Sequence, residues 1–123
     1  MILSPTRVGE RINNPDYQLG LGNGYDHNFV LNQIGNPQII LTEPSSGRVL
    51  EISTNMPGVQ LYTGNFLDGS DVGRDEPMGF RSGLCLETQY FPDSPNKPDY
   101  PSTLLRPGEK YIEKTVYRFT VTN

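Results

Sequence analysis

The chain reads as an all-β protein, and three observations carry that reading. Proline or glycine interrupts nearly every window long enough for three helical turns. Short runs alternate apolar and polar residues with a period of two. Turn dipeptides separate those runs. In chain order the runs cover residues 28–33, 38–42, 48–54, 59–63, 83–91 and 111–121.

Each run has a local reason. Asn23-Gly24 is a strong turn signal and delivers the chain into the first. Pro44-Ser45-Ser46-Gly47 separates two alternating segments, so the second and third runs form a hairpin. Asp68-Gly69 ends the segment after the fourth run, and the charged, glycine-containing stretch up to Ser82 reads as a surface loop. The fifth run, Leu84, Cys85, Leu86, Glu87, Thr88, Gln89, Tyr90, Phe91, is the most apolar, and a strand of that kind is expected to be covered on both faces. Residues 92–107 are rich in Pro, Asn and Ser and read as an extended wrap before the last strand.

Length and composition bound the rest. With 123 residues there is room for one domain, and an apolar share of 34% allows only a modest core. Net charge is −4, and no Lys/Arg cluster reaches three consecutive residues, which speaks against a nucleic-acid surface or a polybasic membrane contact. No run approaches a membrane span, and the N-terminus lacks a secretory leader pattern. The single cysteine excludes an intramolecular disulfide, and one Cys with one His cannot make a Cys/His zinc site. A reducing, cytoplasmic setting is the expectation. Cys85 itself reads as a small buried apolar residue.

The residue that points to chemistry is Glu87. Alternation places Cys85, Glu87 and Gln89 on one face, inside an apolar strand. A carboxylate desolvated there would hold its proton more tightly, which suits general-base work near neutral pH. The bland alternative is a paired core carboxylate. Asp26, two residues after Asn23-Gly24, could likewise cap that turn or grip a ligand. Gln60 could be an amide satisfied by backbone, or a ligand contact. Tyr62 and Phe66 could offer an aromatic wall to a bound ring, but with Leu61 and Leu67 nearby both read as core. His27, the lone histidine, reads as a structural residue at a strand start.

Four ordered segments resemble one family. They are Gly24-Tyr25-Asp26-His27-Asn28-Phe29, Pro57-Gly58-Val59-Gln60-Leu61-Tyr62-Thr63-Gly64-Asn65-Phe66, Leu86-Glu87-Thr88-Gln89 followed by Pro92-Asp93-Ser94-Pro95-Asn96, and Leu105-Arg106-Pro107-Gly108 with Thr115-Val116-Tyr117-Arg118-Phe119. Together they are similar to aldose 1-epimerases (galactose mutarotases), from about Ile2 to Val121.

The resemblance implies a large antiparallel β-sandwich, the galactose mutarotase-like supersandwich. Residues 1–123 then form a single partial domain, roughly the last third of that fold, with Met1–Thr6 corresponding to the middle of a longer protein. It implies a sugar site in a cleft on one sheet, with aldohexoses such as galactose and glucose as substrates and no cofactor. Glu87 matches the family's catalytic base. Asp26 and Gln60 match its sugar-contacting aspartate and glutamine. The family's two active-site histidines and its arginine have no counterpart here, so the acid is missing, and His27 is not its replacement. A sheet cut from its sandwich would leave unpaired edges and an uncovered apolar face, both routes to self-association.

Overall fold

A computed structural model describes residues 5–32 and 34–122. The expected strand end at Gln33, and the start of the family likeness at residues 1–4, lie outside the described residues. Contacts divide the chain into two units. One holds the segment up to His27 with Gln60–Glu87; the other holds Asn28–Val59 and the chain from Thr88 onward.

The second unit is organised by the hairpin. β2 (Ile39–Glu43) and β3 (Arg48–Thr54) pair antiparallel, from Ile39 opposite Ile52 to Glu43 opposite Arg48. Gly47 closes the loop with φ +68°, a left-handed conformation that glycine adopts without steric cost. The Glu43 carboxylate accepts hydrogen bonds from the Ser45 and Ser46 backbone N–H groups at 3.0 and 2.7 Å and from the Ser45 hydroxyl. These donors hold its pKa down at about 2.

β8 (Thr115–Val121) adds antiparallel to the other side of β3. Register puts Ile39, Ile52 and Tyr117 in one row across the three strands. Ile52 is fully buried there, while Phe119 and Val121, further along the same face, are 76% and 65% exposed. On the opposite face Arg118 donates to Glu51 at 2.9 Å. Thr115 joins the Thr54 and Thr88 hydroxyls at 2.9 Å each.

The first unit carries two short helices that helical periodicity could not reveal. These are α1 (Val8–Arg11) and α2 (Tyr17–Gly22). In α2, Asp16 caps the N-terminus by accepting from the Gln18 and Leu19 N–H groups, and Asn23 closes the other end in the left-handed region. Six residues are too few to show a hydrophobic period, and of this helix only the Asn23-Gly24 turn at its end was read from the sequence.

The segment expected to be a bare loop holds a small hairpin, β5 (Val72–Gly73) and β6 (Glu76–Pro77). Arg74 and Asp75 turn it, both with positive φ. A two-residue turn needs that conformation, but this pair lacks the Asn-Gly signature by which such turns are recognised.

The remaining sheet has the order β1-β4-β7, from β1 (Asp26–Val30), β4 (Gly58–Tyr62) and β7 (Cys85–Gln89). β7 is shorter than the apolar run and is not covered on both faces. Cys85 and Glu87 are exposed, whereas Leu86 and Thr88 are half-buried. The expected burial of Cys85 and desolvation of Glu87 are therefore corrected. β7 stands at the edge of its three-stranded sheet, and the face carrying these two side chains is open to solvent. The all-β class holds, with strand ends within a few residues of expectation.

Candidate functional site

A buried polar lock fixes where the candidate residues emerge. Asn23 and Gly24 end α2, with Gly24 N–H donating to Leu19 O at 3.0 Å. Gly24 has φ +137°, and a Cβ there would collide with the Asn65 side-chain amide. Asn65 is 3% exposed. Its Nδ2 donates to Tyr25 O at 2.8 Å, and its Oδ1 accepts from Thr63 Oγ1 at 2.7 Å. Thr63, also buried, donates its backbone N–H to the same Tyr25 carbonyl, and its hydroxyl accepts from Tyr25 N–H. Tyr25 is thereby clamped on both its backbone groups, one residue before Asp26.

That clamp sets the end of β1 against the end of β4. Gln60 Nε2 donates to Asp26 Oδ1 at 2.8 Å. Two residues singled out separately in the sequence, thirty-four positions apart, thus form one charge-assisted pair. Asp26 does not cap the Asn23-Gly24 turn; Asp16 and Asn23 cap the helix, and the Asp26 carboxylate points to Gln60 instead. Asp26 is exposed and Gln60 half-buried. One carboxylate oxygen is thus oriented by the amide, and the carboxylate as a whole stays reachable by hydroxyl donors from outside.

His27 follows Asp26. Its Nδ1 accepts from the Asp26 backbone N–H at 2.9 Å, and its ring meets Tyr25 edge-on at 6.0 Å. A nitrogen committed to its own strand's backbone fits a structural role.

Glu87 sits on β7, the strand next to β4. Its side chain has no hydrogen-bond or ion-pair partner among the described residues. The structure therefore brings two of the three expected residues together and leaves the third on the neighbouring strand.

Other groups escaped the sequence reading. Asn65 and Thr63 were passed over, because a polar residue at or just beyond a strand end carries no mark of burial in the sequence; only the structure reveals the clamp. Tyr62 and Phe66 were expected in the core, yet Phe66 is 63% exposed. The two rings stack at 6.4 Å with 13° between planes, and Phe66 N–H donates to the Tyr62 hydroxyl at 3.1 Å. Arg81 is a brace. Its guanidinium donates to Asn13 Oδ1 and to Asn23 O at 3.0 and 3.1 Å, and it lies over the Phe80 ring. Among the described residues no group of three or more His, Cys, Asp or Glu is disposed to hold a metal ion, and no helix is long and apolar enough to cross a membrane.

Comparison with known proteins gives this geometry its context. A family-wide sequence profile, Aldose 1-epimerase, matches residues 2–118. The galactose mutarotase of Mus musculus is 44% identical over 120 residues, covering 95% of this chain and 34% of that protein. The aldose 1-epimerase of Escherichia coli K12 is 40% identical over 101 residues, covering 78% and 29% respectively. Among solved structures, a GalM/aldose epimerase homologue from C. elegans superposes with a TM-score of 0.72 at 29% identity, over 80% of this chain and 30% of that one. The chain belongs to the aldose 1-epimerase family and has its sandwich-like, all-β fold. It spans about a third of the length of these relatives.

Proposed function

We propose that this chain is the base-bearing and part of the sugar-binding portion of an aldose 1-epimerase, acting on the anomers of a neutral aldohexose such as galactose or glucose. The single observation that carries this reading is the 2.8 Å hydrogen bond between Gln60 and Asp26. It assembles two positions of separate family motifs into one hydroxyl-reading pair, on a sheet that also includes the strand of Glu87.

In this reading Asp26 accepts hydrogen bonds from sugar hydroxyls while Gln60 holds its carboxylate in place. Glu87 takes the proton from the anomeric hydroxyl. The C1–O5 bond breaks as the ring oxygen receives a proton, giving the open-chain aldehyde. Rotation about C1–C2 and reclosure from the other face of the carbonyl give the second anomer, and the protons return. Base and acid each contribute about 10²–10⁴-fold.

In this reading the ring-oxygen acid is one of the family's histidines that have no counterpart here, and His27, whose Nδ1 accepts from Asp26 N–H, keeps a structural role. That acid comes from polypeptide beyond the matched third of the family's length, and the present residues form a partial domain of that sandwich. Exposure of Glu87 fits the same picture, since the site's remaining wall belongs to that polypeptide. A 6-phosphate substrate fits less well, because the Arg81 guanidinium is already engaged by Asn13 and Asn23.

One observation favours a second reading, a binding module without turnover. The Asp26–Gln60 pair is formed while Glu87 remains in solvent. Polarimetry of freshly dissolved α-D-galactose separates the two, with and without imidazole as a stand-in acid. Acceleration beyond the buffer and imidazole rates that disappears in Glu87→Gln supports the epimerase reading. Equal rates for the two proteins, with sugar binding retained, leave the binding module.

A further inference from the structure

The geometry points to Phe66, backed by Tyr62, as an apolar platform that receives the C–H face of the pyranose held by Asp26 and Gln60. This inference rests on the sugar-binding reading above and adds the group that grips the ring rather than its hydroxyls.

Gln60 and Tyr62 are two residues apart on β4, so their side chains leave the same face of the strand. Asp26 lies on that face too, because its carboxylate bonds to Gln60. The hydroxyl-reading pair therefore has an aromatic neighbour one pleat along. Phe66 extends that aromatic surface. Its ring is nearly parallel to Tyr62, within the offset-stacked range, and its backbone N–H is tied to the Tyr62 hydroxyl. Phe66 is 63% exposed, yet its ring is stacked on Tyr62 rather than left loose. Its loop is also braced. Gly64, at φ +66°, packs so closely against Gly83 O that a Cβ would stand 2.8 Å from it, and Arg81 N–H donates to Gly64 O at 3.0 Å.

A pyranose is amphipathic in the matching sense. Its hydroxyls project from the rim, while the ring carbons present C–H bonds over a face. Those C–H bonds carry the partial positive charge that the negative face of an aromatic ring attracts. A site with carboxylate and amide at one side and a fixed aromatic pair at the other suits that shape. The platform distinguishes a closed ring from an open-chain polyol with the same hydroxyl groups, so galactitol is the natural competitor for comparison.

The test is an NMR titration of the full chain with methyl β-D-galactopyranoside, whose locked anomeric centre separates binding from turnover. The parent is compared with Asp26→Ala, Phe66→Ala and Phe66→Tyr, with Tyr17→Ala as an exposed aromatic control. Phe66→Ala is expected to weaken binding about 3- to 10-fold, the size of one aromatic contact. Phe66→Tyr and Tyr17→Ala should bind as the parent does, and galactitol should bind no better to the parent than to Phe66→Ala. The Phe66 side chain is exposed and the alanine variant keeps the backbone N–H, so the fold survives the change. If Asp26→Ala loses binding while Phe66→Ala retains it in full, the platform is wrong and the sugar-binding reading stands. If the parent itself does not bind the glycoside, the sugar-binding reading fails and the platform with it.

Discussion

Removing the Asn65 side chain should unfasten the element that aims Asp26. In Asn65→Ala two buried hydrogen bonds disappear, Nδ2 to Tyr25 O and Thr63 Oγ1 to Oδ1. Tyr25 O keeps its bond from Thr63 N–H, so that carbonyl is not orphaned. Each lost bond is worth about 1 kcal/mol, and the small void beside Gly24 adds a further fraction, giving about 2–3 kcal/mol in all. That is a large share of the roughly 5–15 kcal/mol typical of a whole domain. Asn65→Asp should cost at least as much despite its matching shape, because it sets a carboxylate oxygen against the Tyr25 carbonyl where a donor had been. Urea unfolding followed by far-UV circular dichroism reads both changes, and the slope should stay constant if only stability moves. A loss below about 0.5 kcal/mol for Asn65→Ala would refute the clamp, since that is the range of ordinary surface substitutions.

Three further outcomes follow from the packing and charges. Ile52→Ala, at the fully buried centre of the β2-β3-β8 sheet, should lower stability by about 2–5 kcal/mol in the same urea assay. The Glu43 carboxyl is held down at about 2 in the fold against an ordinary 4.5, so the unfolded chain binds the extra proton between those values. Its contribution is complete above pH 4.5 and is lost as pH falls towards 2; Glu43→Gln should flatten the stability curve in that window and leave neutral pH behaviour alone. Any concentration-dependent association seen in sedimentation velocity should be weakened by Phe119→Lys, because Phe119 stands 76% exposed on the apolar face of β8, with little effect on unfolding. Unchanged association would remove that face as the route to self-association.

How much of this was legible in the sequence depended on how local the cause was. The 44–47 loop and β3 were readable because turn chemistry and alternation act over a few residues. The Arg74-Asp75 hairpin was missed because its positive φ values fall on residues that seldom adopt them. Asp26 and Gln60 were legible only as separate candidates, since nothing local says that residues thirty-four apart will share a hydrogen bond. The errors at Cys85, Glu87 and Phe66 have one source. Apolar neighbours were taken to mean coverage, but coverage depends on what packs against the strand or loop, and in this chain those surfaces are open.

The most direct test of the account is the side-chain amide resonance of Gln60 in a ¹⁵N-correlated spectrum as D-galactose is added. This resonance should shift along a saturable curve, and Asp26→Ala should remove the shift. A Gln60 resonance that stays fixed while other residues respond to the sugar would contradict this, because the pair would then not be the place where hydroxyls are read.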